Sequence, residues 1–457
     1  MEPLEVEKRI LGEVYSSAEP MENLTVLCDD FGGRFAGTPE NRRAAEFILG
    51  KFEEYGLENP RLEAFTFPGC EVISSKLSVV EPVEREVPCI ALPMTVSGEV
   101  EDELVFLADG PSLEEQEAAL EGKVVMALSR GPMYRSILAG AEGFILMHPH
   151  PAMGPPTGHI PSVIPSVGVS YEDGSYLSRL LERKAGVRVR IETECRHLER
   201  ETWNVVAEVP GAGDTDEFIL FGAHYDGHEI AQAAFDDGAA CAAVMEIGRV
   251  LNKVRAHLRR SIRVACFSAE EFGAHGSRDY ASRHAEEMGD MLFTFQLDMC
   301  GGGSTQMVTV DFWPELEPFF EGIAADLRVE MPIEQRRGPG DSRVFFELGI
   351  PTGNIRDYAY KDDILLAYRH TMFDTLDKID LRSLRECIAI GAVSGFRMAN
   401  AEEWPGHRSA EEVEKLNAPG LEALEMRRKL RDYLTAKREE LRPEAKLFLE
   451  RLHDLGR

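Results

Sequence analysis

Apolar residues recur along this chain with two different periods, and the change from one to the other divides it. Over residues 38–55, TPENRRAAEFILGKFEEY, the apolar positions Ala45, Phe47, Ile48 and Phe52 follow helical spacing. Thr38 and Pro39 stand at cap and first-turn positions and Gly56 stops the run, so a helix is predicted there. Residues 1–64 read as mostly helical. From about residue 65 to 196 the pattern shifts to short apolar runs between Gly and Pro turns. Strands are predicted at 77–83, 103–108, 122–128, 143–147 and 187–192, with short helices near 112–120 and 176–184. No acid–base pair or metal-ligand spacing occurs in this part, which marks it as a β-rich accessory region.

Strand and helix alternate from Asn204 onward. NVVAEV and FILFGAH precede a helix over about 237–257; SIRVACFSA, a helix over 273–287 and LFTFQLDM follow; MVTVDF leads to a helix over 315–327, and a final helix covers 381–399. This alternation predicts an α/β fold, a mixed and mostly parallel sheet sandwiched by helices. Residues 409–457, rich in Glu, Arg, Lys and Leu, read as two or three helices broken near Pro419-Gly420 and Pro443, with Leu424, Leu430, Leu434 and Leu441 among the apolar positions. Packing on its own domain is the default for this tail; a homo-oligomer contact and a cover over the active-site entrance are the alternatives. The expected divisions are 1–64 and 198–400 for the main domain, 65–197 for an insertion and 401–457 for a C-terminal helical extension.

Length and charge narrow the classes. A chain of 457 residues suggests about two or three domains. The formal charge of −30 argues against non-specific nucleic-acid or anionic-membrane binding. No apolar run approaches the roughly 20 residues of a membrane span. The opening MEPLEVEKRILGEVY lacks the apolar core of a secretory signal, so a cytoplasmic location is expected. The eight cysteines form no CxxC pair, and Cys241, Cys266 and Cys300 lie in apolar runs as buried free thiols would.

The candidate chemistry sits where predicted strands end. His224 and Asp226, two residues apart, leave the same side of an extended backbone. Asp236-Asp237 follow; Glu270-Glu271 end the second strand, Asp298 ends the third, and His370 stands in a later loop with Asp374 four residues on. Ligands of open α/β sheets bind beyond the carboxyl ends of the strands. A single Glu-Glu pair reads as a solvated helix start. The same pattern on separate segments weakens that reading, because anions gathered near a core repel unless a cation offsets them. Two His and three or four carboxylates, with no Cys, suit zinc or a similar ion and can furnish two adjacent sites. Such a pair of ions polarises a carbonyl and acidifies water, the machinery of amide hydrolysis. No GxSxG or P-loop is present to support serine-hydrolase or nucleotide chemistry. His148, His150 and His159 lie in a Pro/Gly-rich loop that reads as a cover or a solvated segment rather than a metal site.

Six stretches together resemble a known family: HYD at 224–226, FDDGAA at 235–240, SAEEFGAHGS at 268–277, LDMCG at 297–301, GDSRVFFELGIP at 340–351 and RHTMFDTLD at 369–377. The chain is similar over about residues 20–400 to co-catalytic zinc aminopeptidases of the M28 type with an inserted protease-associated (PA) domain. The resemblance implies two Zn2+ ions, with Co2+ or Mn2+ suited to the same ligands. Asp236 would bridge them, His224 and Asp298 would complete one site, and Glu271 and His370 the other. Glu270 would be the general base on a metal-bridged hydroxide. Asp226 would orient His224, and Asp374 would act similarly near His370. Gly340-Asp341-Ser342 departs from the family's frequent Ser-Asp-His, which leaves Tyr368, Arg369 and Arg343 as candidate oxyanion donors; Ala240 stands for a usual Gly. The implied substrate is a short peptide cleaved by an aminopeptidase. The alternative is a carboxypeptidase or dipeptidase in which Arg336, Arg337, Arg343 and Arg369 hold a free carboxylate. A non-catalytic binding protein that kept the fold is the reading from a different class, and the full ligand set with Glu270 argues against it.

Overall fold

In the computed structural model, which describes residues 2–107, 120–158, 162–336, 338, 340–358 and 364–417 together with 429, 432, 435 and 436, the chain opens with α1 (Pro3–Ser16), α2 (Glu19–Thr25) and α3 (Pro39–Glu54). The Thr38 side chain accepts a hydrogen bond from the Asn41 amide at 3.3 Å, capping α3 as its sequence predicts. Helix does not extend to residue 64. β1 (Glu58–Glu81) begins earlier, because burial alternates through Glu63, Phe65 and Phe67 as on a half-buried strand.

Next come β2 (Arg85–Val87), β3 (Ile90–Ala91), β4 (Gly98–Leu107), β5 (Val124–Ala127), α4 (Gly131–Leu138), β6 (Gly143–Met147), β7 (Ser166–Val169), α5 (Tyr171–Arg183) and β8 (Arg188–Val209). β4, β5, β6 and β7 are parallel neighbours in that order. α5 starts ahead of the predicted 176 because the Ser170 side chain accepts from the Asp173 amide at 3.0 Å. The helix expected near 112–120 lies, apart from Leu120, outside the described residues, as does His159.

The remaining elements are β9 (Phe218–His224), α6 (Ala239–Asn252), β10 (Ser261–Phe267), α7 (His275–Arg283), β11 (Met291–Leu297), β12 (Gln306–Val310), α8 (Glu317–Leu327), β13 (Ile333–Gln335), α9 (Gly340–Glu347), β14 (Thr352–Asp357), α10 (Ile364–Tyr368), α11 (Leu381–Asn400) and α12 (Ala410–Leu416). Their strands run β13-β12-β14-β11-β9-β10-β8. β9 is parallel to both β10 and β11, and every residue of it is buried, which is why it reads as an unbroken apolar run. β8 and β10, and β12 and β14, pair antiparallel, so the sheet is mixed. β14 escapes prediction because TGNIRD offers one strongly apolar residue; its register comes from β11 and β12 on either side.

By contact the described residues form two units, residues 2–67, 200–369 and 374–416 in the first and 68–199 and 370–373 in the second. In the first, α6 is buried on nearly all sides, as a helix apolar all round must be. α1 joins the same core through Val6, Ile10 and Val14 alongside Ile388 and Val393 of α11, and Arg397 holds Glu7 through two bonds of 2.8 and 2.9 Å. In the second, Val100, Val124, Ile145, Val167 and Leu177 make a separate core. All eight cysteines are free thiols. No described helix is long and apolar enough to cross a membrane. Leu424, Leu430, Leu434 and Leu441 of the tail lie outside the described residues.

Candidate metal centre

Parallel register brings the carboxyl ends of β9, β10 and β11 out on one side of the sheet. His224 ends β9 with Nε2 at 3.2 Å from Asp236 Oδ1, 4.0 Å from Asp237 Oδ2 and 3.9 Å from Glu270 Oε2. Its Nδ1 faces Asp226, but through the backbone: the carbonyl oxygen is 3.0 Å away and the nearer carboxylate oxygen 3.6 Å. That leaves the Asp226 carboxylate to accept the amides of Glu270 and Glu271 at 3.2 and 3.3 Å, which fixes the turn carrying both glutamates.

Among the described residues of the first unit, His224, Asp237 and Asp298 form a set with its ligand atoms within 4.8 Å of one another, and His228 Nε2 lies 3.1 Å from Glu271 Oε2. Of the residues expected from the sequence, His224 and Asp298 fall together, while Glu271 belongs to the first unit and His370 to the second. Asp236 lies outside the set, although it touches His224, and Asp237 stands in the set where Asp236 was expected. α6 starts two residues later than predicted because Asp236 and Asp237 have non-helical backbone angles and turn their carboxylates to this side. His228 was not anticipated. Its signal is present in the sequence: residues 224, 226 and 228 alternate along an extended segment, so three polar side chains share one side.

These donors suit divalent ions. Asp237 Oδ1 accepts from the Met299 amide at 3.0 Å, while Oδ2 is buried without a partner, an arrangement that costs free energy unless a cation meets it. Burial is the main cause that pushes the carboxyls of Asp237, Glu270 and Asp298 above the ordinary range; neighbouring carboxylates add to it and the cationic His224 opposes it. Burial opposes a charge on His224, but its bonds to Asp226 and Asp236 outweigh that and raise its pKa well above the usual value. Imidazole nitrogens mixed with carboxylates, without thiolates, are the ligands of zinc and its neighbours.

The segment before α3 holds the loop that carries these groups. Arg34 is buried and donates to the carbonyls of Leu27, Gly32, Tyr225, Gln232 and Ala233 at 2.6–2.9 Å. At Gly33 a Cβ would come within 2.2 Å of the His228 carbonyl oxygen, so only glycine lets the two backbones approach. Asp374 closes the other side, accepting the amides of Phe235 and Asp236 at 2.7 and 3.1 Å. Burial pushes its carboxyl up to about 7, well above the ordinary carboxylate range. A raised folded-state pKa gives stability that is full below the unfolded pKa and lost as pH rises through the folded one. In chelator-treated protein, the stability of an Asp374→Asn variant relative to wild type is therefore expected to rise between pH 4 and 7, by on the order of 4 kcal/mol at 1.36 kcal/mol per unit. Urea unfolding of both proteins across that range checks it.

The other predicted groups are placed less centrally. Arg343 turns along α9 to Glu347 at 2.6 Å, and exposed Arg336 pairs with Glu334 at 3.1 Å. Arg337 lies outside the described residues. Tyr368 lies under Lys378, 4.8 Å from its ring centre. Arg369 does reach the ligands, with Nε 3.5 Å from Asp236 Oδ2, and it shares the Met299 sulfur with Arg356 at 3.5 and 3.8 Å. Arg356 gave no signal in the sequence, since β14 itself was not recognised. Asp341 lines the same recess as His224, Glu270 and Asp298, accepts from the Ser277 hydroxyl at 2.5 Å, and is pushed up to about 6 by burial. In the second unit, His370 Nδ1 lies 2.5 Å from Arg130, which also donates to the Thr157 carbonyl at 3.0 Å. His148 Nδ1 faces the His150 carbonyl at 2.9 Å, as in a self-bonded loop.

Residues 204–393 match the model of peptidase family M28. Carboxypeptidase Q of Mus musculus is 21% identical over 416 residues, covering 84% of this chain and 86% of its own. A peptidase M28 precursor of Shewanella amazonensis superposes with a TM-score of 0.79 at 23% identity, over 89% of this chain and 99% of that one. A zinc aminopeptidase of Bacillus subtilis superposes at 0.67 with 20% identity, over 82% and 93%.

Proposed function

Starting from a chain whose residues 204–393 match the model of peptidase family M28, we propose that it is a two-zinc exopeptidase that removes the amino-terminal residue of short peptides. The observation that carries this reading is Glu270, set 3.9 Å from His224 beside the set of His224, Asp237 and Asp298, and adjacent in sequence to Glu271. His224, Asp237 and Asp298 would hold one ion, and the family resemblance assigns Glu271 and His370 to the other, with Asp236, 3.2 Å from His224, as a further ligand. Bound there, the ions would supply a polarised carbonyl and an acidified water.

The chain's own groups do the rest. Glu270 accepts a proton from the attacking water and returns it to the leaving amine. The burial that raises its pKa strengthens it as the base of the first transfer. Asp226 keeps the glutamate turn rigid through two backbone amides, and Arg369 stands ready for negative charge developing beside Asp236. Glu270 and Asp341 line one recess and gather anionic charge suited to a substrate ammonium group.

A second reading, a carboxypeptidase or dipeptidase, is favoured by Arg356 and Arg369, whose guanidinium groups lie at one sulfur and suit a free carboxylate. Assaying a free dipeptide, its N-acetyl form and its C-terminal amide, with and without a chelator, separates the readings. The aminopeptidase loses the N-acetyl substrate and keeps the amide, and the carboxypeptidase does the reverse. Chelator is expected to abolish turnover in either case. Unchanged turnover in chelator sinks both.

A further inference from the structure

We infer that the preferred substrate begins with an acidic residue, Asp or Glu, whose side-chain carboxylate is received by Arg356 and Asn354 of β14; the inference rests on the aminopeptidase reading above. Gln296 of β11 stands beside Asn354 of β14, and Asn354 beside Thr309 of β12, so the three side chains form one row across the sheet. All three are buried, and among the described residues Gln296 Oε1, both amide atoms of Asn354 and Thr309 Oγ1 have no hydrogen-bond partner. Such a row costs free energy unless a polar ligand meets it. Gln296 and Asn354 line the same recess as His224, Glu270, Asp298 and Asp341, so the row opens where the substrate ammonium group was placed. All of these residues belong to the first unit.

Arg356 follows Asn354 by two positions on β14 and therefore lies on the same face. It is 9% exposed and bonds no carboxylate among the described residues; its partner is the Met299 sulfur at 3.8 Å. Arg369 reaches the same sulfur but already faces Asp236. A buried guanidinium left without an anion is costly, and a substrate carboxylate offsets it. The two oxygens of that group can take a guanidinium N–H and the Asn354 amide together. Burial also separates a side chain from a chain terminus. The leaving peptide of an aminopeptidase varies in length and needs an open path to solvent. A side chain ends inside its pocket, and the pocket is closed where it buries Arg356 and Asn354.

The test is kcat/KM on C-terminally amidated dipeptides, which carry no terminal carboxylate, with Glu, Gln or Leu at the amino end. Wild type is expected to favour Glu over Gln at least about tenfold, and Arg356→Met to bring that ratio down about 10–100-fold, the worth of a hydrogen bond to a charged group. Arg356→Lys, which keeps the charge, retains part of the preference. A wild-type ratio near one, or a ratio that Arg356→Met leaves intact, overturns the inference while the aminopeptidase reading stands. Cleavage of free dipeptides alone, lost in Arg356→Met, assigns the arginine to the chain terminus and overturns both. Should Arg356→Met fold poorly by circular dichroism, Asn354→Leu decides. A fall in the Glu-to-Gln ratio supports the pocket, and the wild-type ratio overturns it.

Discussion

Glu270→Ala is expected to lower kcat by about 10²–10⁴-fold, the usual contribution of a positioned acid–base group, while the dialysed protein keeps the wild-type amount of divalent ion. The separation of the two effects follows from how the residue is anchored. Its amide is held by the Asp226 carboxylate, and that bond survives removal of the side chain. Its own carboxylate packs against Gly340, where a Cβ would come within 2.5 Å of Oε1. Truncation therefore opens space without disturbing Glu271, whose amide is held independently by the other oxygen of Asp226. Glu271→Ala provides the contrast, since a ligand is lost and bound metal should fall with activity. Metal analysis and steady-state kinetics on the two variants decide the roles. Near-normal turnover in Glu270→Ala would sink its role as base, and loss of metal there would make it a ligand.

Arg34→Met is expected to destabilise the fold by at least about 4 kcal/mol, because buried carbonyls left without donors cost roughly 1–3 kcal/mol each. Arg34 serves five such carbonyls and is 1% exposed, so little water reaches them to compensate. Methionine fills much of the volume and supplies none of the donors. Arg34→Lys keeps the charge but replaces a planar fork with one ammonium, so an intermediate loss is expected. Since three of the five carbonyls belong to the 225–233 loop, metal affinity should fall in parallel with stability. Urea unfolding together with zinc titration measures both. A methionine variant within 1 kcal/mol of wild type would show that the loop holds itself.

These two residues mark the limits of what the sequence discloses. Glu270 is legible because a buried parallel strand is written as a continuous apolar run, and the first charged residues after it must lie at the sheet's edge. The same holds for His224 and Asp298. Arg34 is illegible: its partners are backbone carbonyls, which no residue type announces, and most stand about 190 positions away. That both Asp236 and Asp237 reach His224, at 3.2 and 4.0 Å, turns on two backbone angles, which the pair's composition does not specify. Arg343 was a candidate on charge alone, and the helix it occupies offers it Glu347 one turn away.

The bond between Glu7 and Arg397 joins residues 390 apart, and it ties α1 to α11. A chain emerging from the ribosome amino end first thus exposes Val6, Ile10 and Val14 of α1 until α11 has been made. Strands β2–β7, by contrast, come from one continuous stretch, so their pairings can close while synthesis is still under way. The core that supports the edge bearing Glu270 and its neighbours is therefore closed only after α11 has been made.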